Sequence, residues 1–189
     1  MGISLEGRSI AWSRLHDIIA SRAFGRAFEA AFLPLWEPDP EAERAWAEGT
    51  AELTRYLDDP AEDYYPELSR EAQVAFVAIV QHAGRLCGTL TQNSLAGSRF
   101  RKGFLGRLCP QVFGEPALAE WLIDRPFFGL SGLDFPAWGG LQMAEIRELL
   151  RAYREPQELD PELLGWLRDL RDLLANAERE DTDLVILYF

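Results

Sequence analysis

Asp183-Leu184-Val185-Ile186-Leu187-Tyr188-Phe189, at the end of the chain, is the stretch on which the fold turns. Six apolar residues follow an acid without a break, too few for a helix and rich in β-branched and aromatic types. A strand this apolar is stable only when it is paired and covered, so the chain must hold at least one more strand. The weakly alternating residues 3–5, Ile3-Ser4-Leu5, are the obvious partner. Nearly everything between the two ends carries helical spacing, and no linker or repeat divides it. The expectation is an α+β fold: a predominantly helical single domain over residues 1–189, with a small sheet that includes the C-terminal strand.

The helical segments read as follows. Residues 11–33 place Leu15, Ile18, Ile19, Phe24, Phe28 and Phe32 at three- and four-residue spacing, ending at Pro34. Asp39-Pro40 is a start signal, because Asp caps open N–H groups and Pro at the first helical position gives up no hydrogen bond. That helix runs to about 57, closed by Asp58-Asp59-Pro60. Ser69 caps a third helix expected to continue to about 91, with residues 74–80 apolar on all sides. The basic stretch 99–107 reads as one or two helical turns, 116–123 as a short helix, and 141–154 as a sixth helix. Asp160-Pro161 repeats the start signal before a leucine-rich seventh helix. Residues 127–140 are rich in Gly, Pro and aromatics and read as a loop whose rings are buried or offered to a partner.

The chain has 189 residues and a formal net charge of −12, which suits one soluble domain. Six Trp, eleven Phe and five Tyr exclude disorder for the bulk of it. The longest apolar runs fall short of the roughly 18–20 residues that a bilayer span requires. The start of the sequence lacks a basic segment followed by an apolar one, so no secretory signal is expected. Two cysteines, Cys87 and Cys109, make neither a disulfide framework nor a zinc site, and a reducing cytoplasm is the expected location. Between residues 37 and 71, twelve acids face three arginines, a net of −9. Residues 94–110 hold four cations and no acid. A field this negative repels a polyphosphate backbone and argues against a nucleic-acid binder, while steering in partners with a basic surface.

Asp134-Phe135-Pro136, Gly139, Leu141, Glu145-Ile146 and the close Asp183-Leu184-Val185-Ile186-Leu187-Tyr188-Phe189 together resemble an uncharacterised bacterial domain-of-unknown-function family. Its shared features are a D-F-P-x-x-G-x-L segment, a Glu-containing helix and a final D-L-V-type strand. The likeness covers about the last third of the chain, and its end is Tyr-Phe rather than a Tyr pair. It implies an α+β fold and carries no activity with it.

Four clusters invite a chemical reading. The acidic loop Asp58-Asp59-Pro60-Ala61-Glu62-Asp63-Tyr64-Tyr65 lacks the alternating ligands and turn glycine of a calcium loop, so it reads as a solvated charged loop. His82 and Cys87, on one continuous helix, would point about 140° apart and so not form a catalytic pair. In Arg99-Phe100-Arg101-Lys102-Gly103-Phe104 the aromatics could stack bases, but internal charge compensation is the simpler reading. Asp134 with Glu145, beside Phe135 and Trp138, could serve acid–base chemistry, though turn capping by Asp134 and a first-turn position for Glu145 explain them as well. No phosphate loop, nucleophile elbow or metal-binding helix motif occurs.

The leading expectation is therefore a non-catalytic, immunity-like or accessory binding protein. It would present Asp58, Asp59, Glu62 and Asp63 to a protein partner with a basic surface, with no metal or cofactor. The alternative is an enzyme or small-ligand binder with a pocket under the aromatic loop 127–138, lined by Asp134, Phe135, Trp138 and Glu145. A homodimer formed through that loop is a third reading.

Overall fold

The computed structural model describes residues 3–21, 40–58, 68–92, 99–123, 125 and 137–188. The terminal strand forms as expected. Leu184–Tyr188 (β4) pairs antiparallel with Ile3–Ser9 (β1) on one side, Leu5 opposite Tyr188 and Ser9 opposite Leu184. Its other neighbour is Ala137–Leu141 (β3), with Trp138 opposite Leu187. Arg85–Gln92 (β2) pairs with the far side of β1, giving a four-stranded antiparallel sheet in the order β2-β1-β4-β3. With the helices around it, this is the α+β class that the sequence predicts.

All five residues of β4 are buried because the sheet is covered on both faces. Successive side chains of a strand point to opposite faces. Leu184, Ile186 and Tyr188 therefore join one core cluster, while Val185 and Leu187 join another. On the second face lie three helices: Trp12–Ala20 (α1), Pro40–Asp58 (α2) and Arg70–Ala83 (α3). Leu15, Ile19, Leu53 and the run Ala75–Val80 of α3 supply that cluster and its surroundings. On the first face lie a wide, π-type helical segment, Arg99–Leu108, then Cys109–Phe113 (α4) and Leu118–Ile123 (α5). Met143–Ala152 (α6) and Pro161–Glu180 (α7) complete that layer.

The start signals work as their chemistry requires. The Ser69 hydroxyl accepts the Ala72 N–H at 3.1 Å, and the Asp160 carboxylate accepts the Glu162 N–H at 3.0 Å, with Pro161 following it.

Three expectations are corrected. The third helix stops at Ala83 rather than near 91: Gly84 leaves the helical conformation, and 85–92 is strand. His82 and Cys87 thus stand on different elements, so the one-helix geometry does not apply to them. The last four residues of the loop expected over 127–140 are strand, and Leu141, expected to open the sixth helix, is the fifth residue of β3, so that helix begins at Met143. A Gly-Gly pair inside a strand has a reason here. A Cβ on Gly139 would stand 2.3 Å from the Trp121 carbonyl oxygen, so the backbone of α5 approaches β3 more closely than any side chain permits. Expectations for residues 22–33 and 59–67, and for the loop over 126–136, lie outside the described residues.

Candidate functional site

Of the acids expected to meet a partner, Asp58 is the last residue of α2, whereas Asp59, Glu62 and Asp63 lie outside the described residues. The helix leading to them carries exposed acids, Glu41, Glu43 and Glu48, and Glu71 in the first turn of α3 is exposed too. Glu41 and Glu43 sit in the first turn of α2, where the helix dipole favours negative charge. Glu52 is used internally, its carboxylate accepting the Ser69 N–H at 2.9 Å and tying α2 to the start of α3. Arg44 lies one turn from Glu48 at 3.7 Å, both largely exposed, a pairing of small energetic weight.

The residues named for a pocket are not gathered into one. Asp134 and Phe135 lie outside the described residues. Trp138 is fully buried on the α3 side of the sheet, its ring 4.6 Å from that of Phe76. Glu145 stands at the third position of α6, where it accepts the Gln142 N–H at 2.7 Å as half of a reciprocal cap. The same Oε2 accepts a hydrogen bond from Arg125 at 2.7 Å. The first-turn role expected for Glu145 is therefore present.

Arg125 and Asp183 are the two organising residues that the sequence reading missed as such. The Arg125 guanidinium lies 5.4 Å from the Trp12 ring centroid and 5.3 Å from that of Trp121, and it also donates to the Gly140 carbonyl at 3.3 Å. It thereby joins α1, the end of α5, β3 and α6. Partial burial, with about a quarter of the Arg125 side chain exposed, strengthens such cation–π and ionic contacts relative to open solvent. Asp183 accepts the Trp12 N–H through Oδ2 and the Met143 N–H through Oδ1, each at 3.0 Å. One carboxylate thus caps two helices. The sequence signal was an acid directly before the terminal strand, but its two targets are 171 and 40 residues away.

The other candidates take structural roles. Phe100 and Phe104 are buried with Trp166 at 5.2 and 5.6 Å, so these rings are not offered to bases. Lys102 between them is exposed. Both cysteines are free and buried, and burial pushes the Cys109 thiol well above the ordinary thiol range, so it holds its proton at neutral pH. On the outer side of α6 and α7, Arg168 donates to Glu155 at 2.7 Å and holds that carboxyl below its usual value. The Tyr153 hydroxyl donates to the same carboxylate at 3.2 Å; burial first, then Glu155, raises its pKa. Among the described residues no group of three or more His, Cys, Asp or Glu is placed to hold a metal ion. Likewise, no described helix is long and apolar enough to cross a membrane. Comparison with family models, curated proteins and solved structures finds no match for the chain.

Proposed function

We propose that this protein acts by binding, presenting the acidic segment 37–71 to a protein partner with a basic surface in an immunity-like or accessory role. The observation that carries the reading is the concentration of charge: a net of −9 within 35 residues of a chain whose total is −12. The exposure of Glu41, Glu43, Glu48 and Glu71 along α2 and the start of α3 supports it, because these side chains are open to solvent. A surface of this kind raises association rates with cationic partners and loses that advantage in salt. The pocket reading has less support, since Trp138 already fills space against Phe76 and Glu145 is engaged by Arg125 and Gln142.

The test uses an immobilised arginine-rich peptide as a basic probe and two charge-matched variants. One neutralises Asp58, Asp59, Glu62 and Asp63 to their amides. The other does the same to Glu162, Asp169, Asp172 and Glu178, exposed acids of α7. Removing four charges from the segment 37–71 should slow association and flatten its salt dependence much more than removing four from α7. Equal effects would mean that only the total charge matters, and the segment would not be the interface.

A further inference from the structure

A half-open pocket of about 230 Å³ lies between the start of β2 and the last turn of α7, and none of its lining residues belongs to the acidic segment 37–71. Arg85, Leu86 and Cys87 form one wall; Asn176, Arg179 and Glu180 form the other. A β-bulge creates the first wall. Gly88 stands opposite Gly7 and Leu86 opposite Arg8, so Cys87 is the extra residue on β2. Bulges of this kind bend an edge strand and re-aim its groups. Here the Cys87 carbonyl accepts a hydrogen bond from the Asn176 side-chain amide at 2.6 Å, which locks the two walls together. The Asn176 side-chain oxygen in turn accepts from Arg179, and Arg85 donates to Glu180 at 2.8 Å.

The ionised side chains lining the pocket are two guanidiniums and one carboxylate, a local excess of positive charge in a protein of net charge −12. Each guanidinium has five N–H donors and gives one to the side chain just named, Arg85 across the pocket to Glu180 and Arg179 along its own wall to Asn176, so both keep donors for a ligand. A carboxylate matches the guanidinium fork. The closing turn of α7 contributes roughly half a negative charge from its carbonyls, which opposes a dianion more than a monoanion. Leu86, an apolar side chain 49% exposed, lines the same pocket and suits a short hydrocarbon tail.

We propose that this pocket binds a small monoanionic carboxylic acid, its carboxylate held by Arg179 and Arg85 and its apolar end against Leu86. The site is independent of the acidic binding surface.

Butyrate is the probe, titrated at constant ionic strength while backbone amide NMR shifts of residues 85–88 and 176–180 are followed. The expected result is a saturable shift confined to these two segments. Arg179→Gln should weaken it roughly tenfold or more, as loss of a charged hydrogen bond implies, and Arg85→Gln should weaken it independently. Arg44→Gln, on the exposed side of α2, should change nothing. Inorganic phosphate should bind more weakly than butyrate. Shifts that never saturate, titrations unaltered by both pocket variants, or phosphate binding as tightly as butyrate would each overturn the proposal.

Discussion

Asp183 ties three parts of the chain together through one residue. Its two oxygens accept the N–H groups of Trp12 and Met143, the first residues of α1 and α6, and its own carbonyl accepts the Ile10 N–H at 2.9 Å. Helix-initial N–H groups have no partner within their own helix, so a cap satisfies donors that burial would otherwise leave open. Asp183→Ala opens both at once. With about 1 kcal/mol for an ordinary cap and somewhat more for a charged acceptor, the loss should be about 2–4 kcal/mol in urea denaturation. Asp183→Asn separates the two bonds, because an amide has one acceptor oxygen and its nitrogen only donates. It should lose a substantial part of that stability, falling between wild type and Ala. An Asn variant as stable as wild type would show that the double cap does not matter.

At the scale of elements, the legible parts were those whose signals are local. Asp160-Pro161 and Ser69 announced their helices, and the terminal apolar run announced both itself and its partner at 3–5, since neither can be stable alone. The missed elements were β2 and β3. Residues 74–90 sustain helix-compatible apolar spacing, which carries a helical reading through Gly84, although that glycine and the Thr89-Leu90-Thr91 that follows are compatible with a strand. In β3 the Gly139-Gly140 pair suppressed a strand reading, because the reason for Gly139 lies in a neighbour rather than in the strand: the α5 backbone passing over it. The same long-range character hid Arg125, whose four partners belong to separate elements. This contrast gives a paired prediction. Gly139→Ala should destabilise by about 1–3 kcal/mol or more, because its Cβ meets rigid backbone rather than a side chain that can turn away. Gly165 lies inside α7, where an added Cβ meets nothing within 4 Å. Gly165→Ala should stabilise by about 0.5–1 kcal/mol through helix propensity and a less flexible unfolded chain. Thermal or urea unfolding of both variants reads the opposite signs directly, and two changes of the same sign would contradict the packing described at Gly139.

For the whole molecule, the question is whether attraction within ion pairs or repulsion across the surface dominates the response to salt. The pairs Arg147–Asp181, Arg168–Glu155 and Arg171–Asp172 have short contacts, at 2.6, 2.7 and 2.6 Å, but they are substantially exposed. Exposed pairs contribute about 0–1 kcal/mol each and are partly screened already at moderate salt. Arg8–Glu6 and Arg125–Glu145 are more enclosed and respond less. Against them stands a net charge of −12, most of it within 37–71, whose like charges repel over distances comparable to the ~10 Å Debye length at 0.1 M. Repulsion should therefore win. Raising NaCl from about 10 to 200 mM at neutral pH should increase the unfolding temperature, by about 2–4 °C if relief amounts to about 1 kcal/mol in a domain of this size. The amide variant at Asp58, Asp59, Glu62 and Asp63 should begin more stable at low salt and gain less from added salt, because part of the repulsion is gone. A fall in unfolding temperature with NaCl would mean that the pairs outweigh the field. The acidic segment would then lack the long-range potential that capture of a basic partner requires.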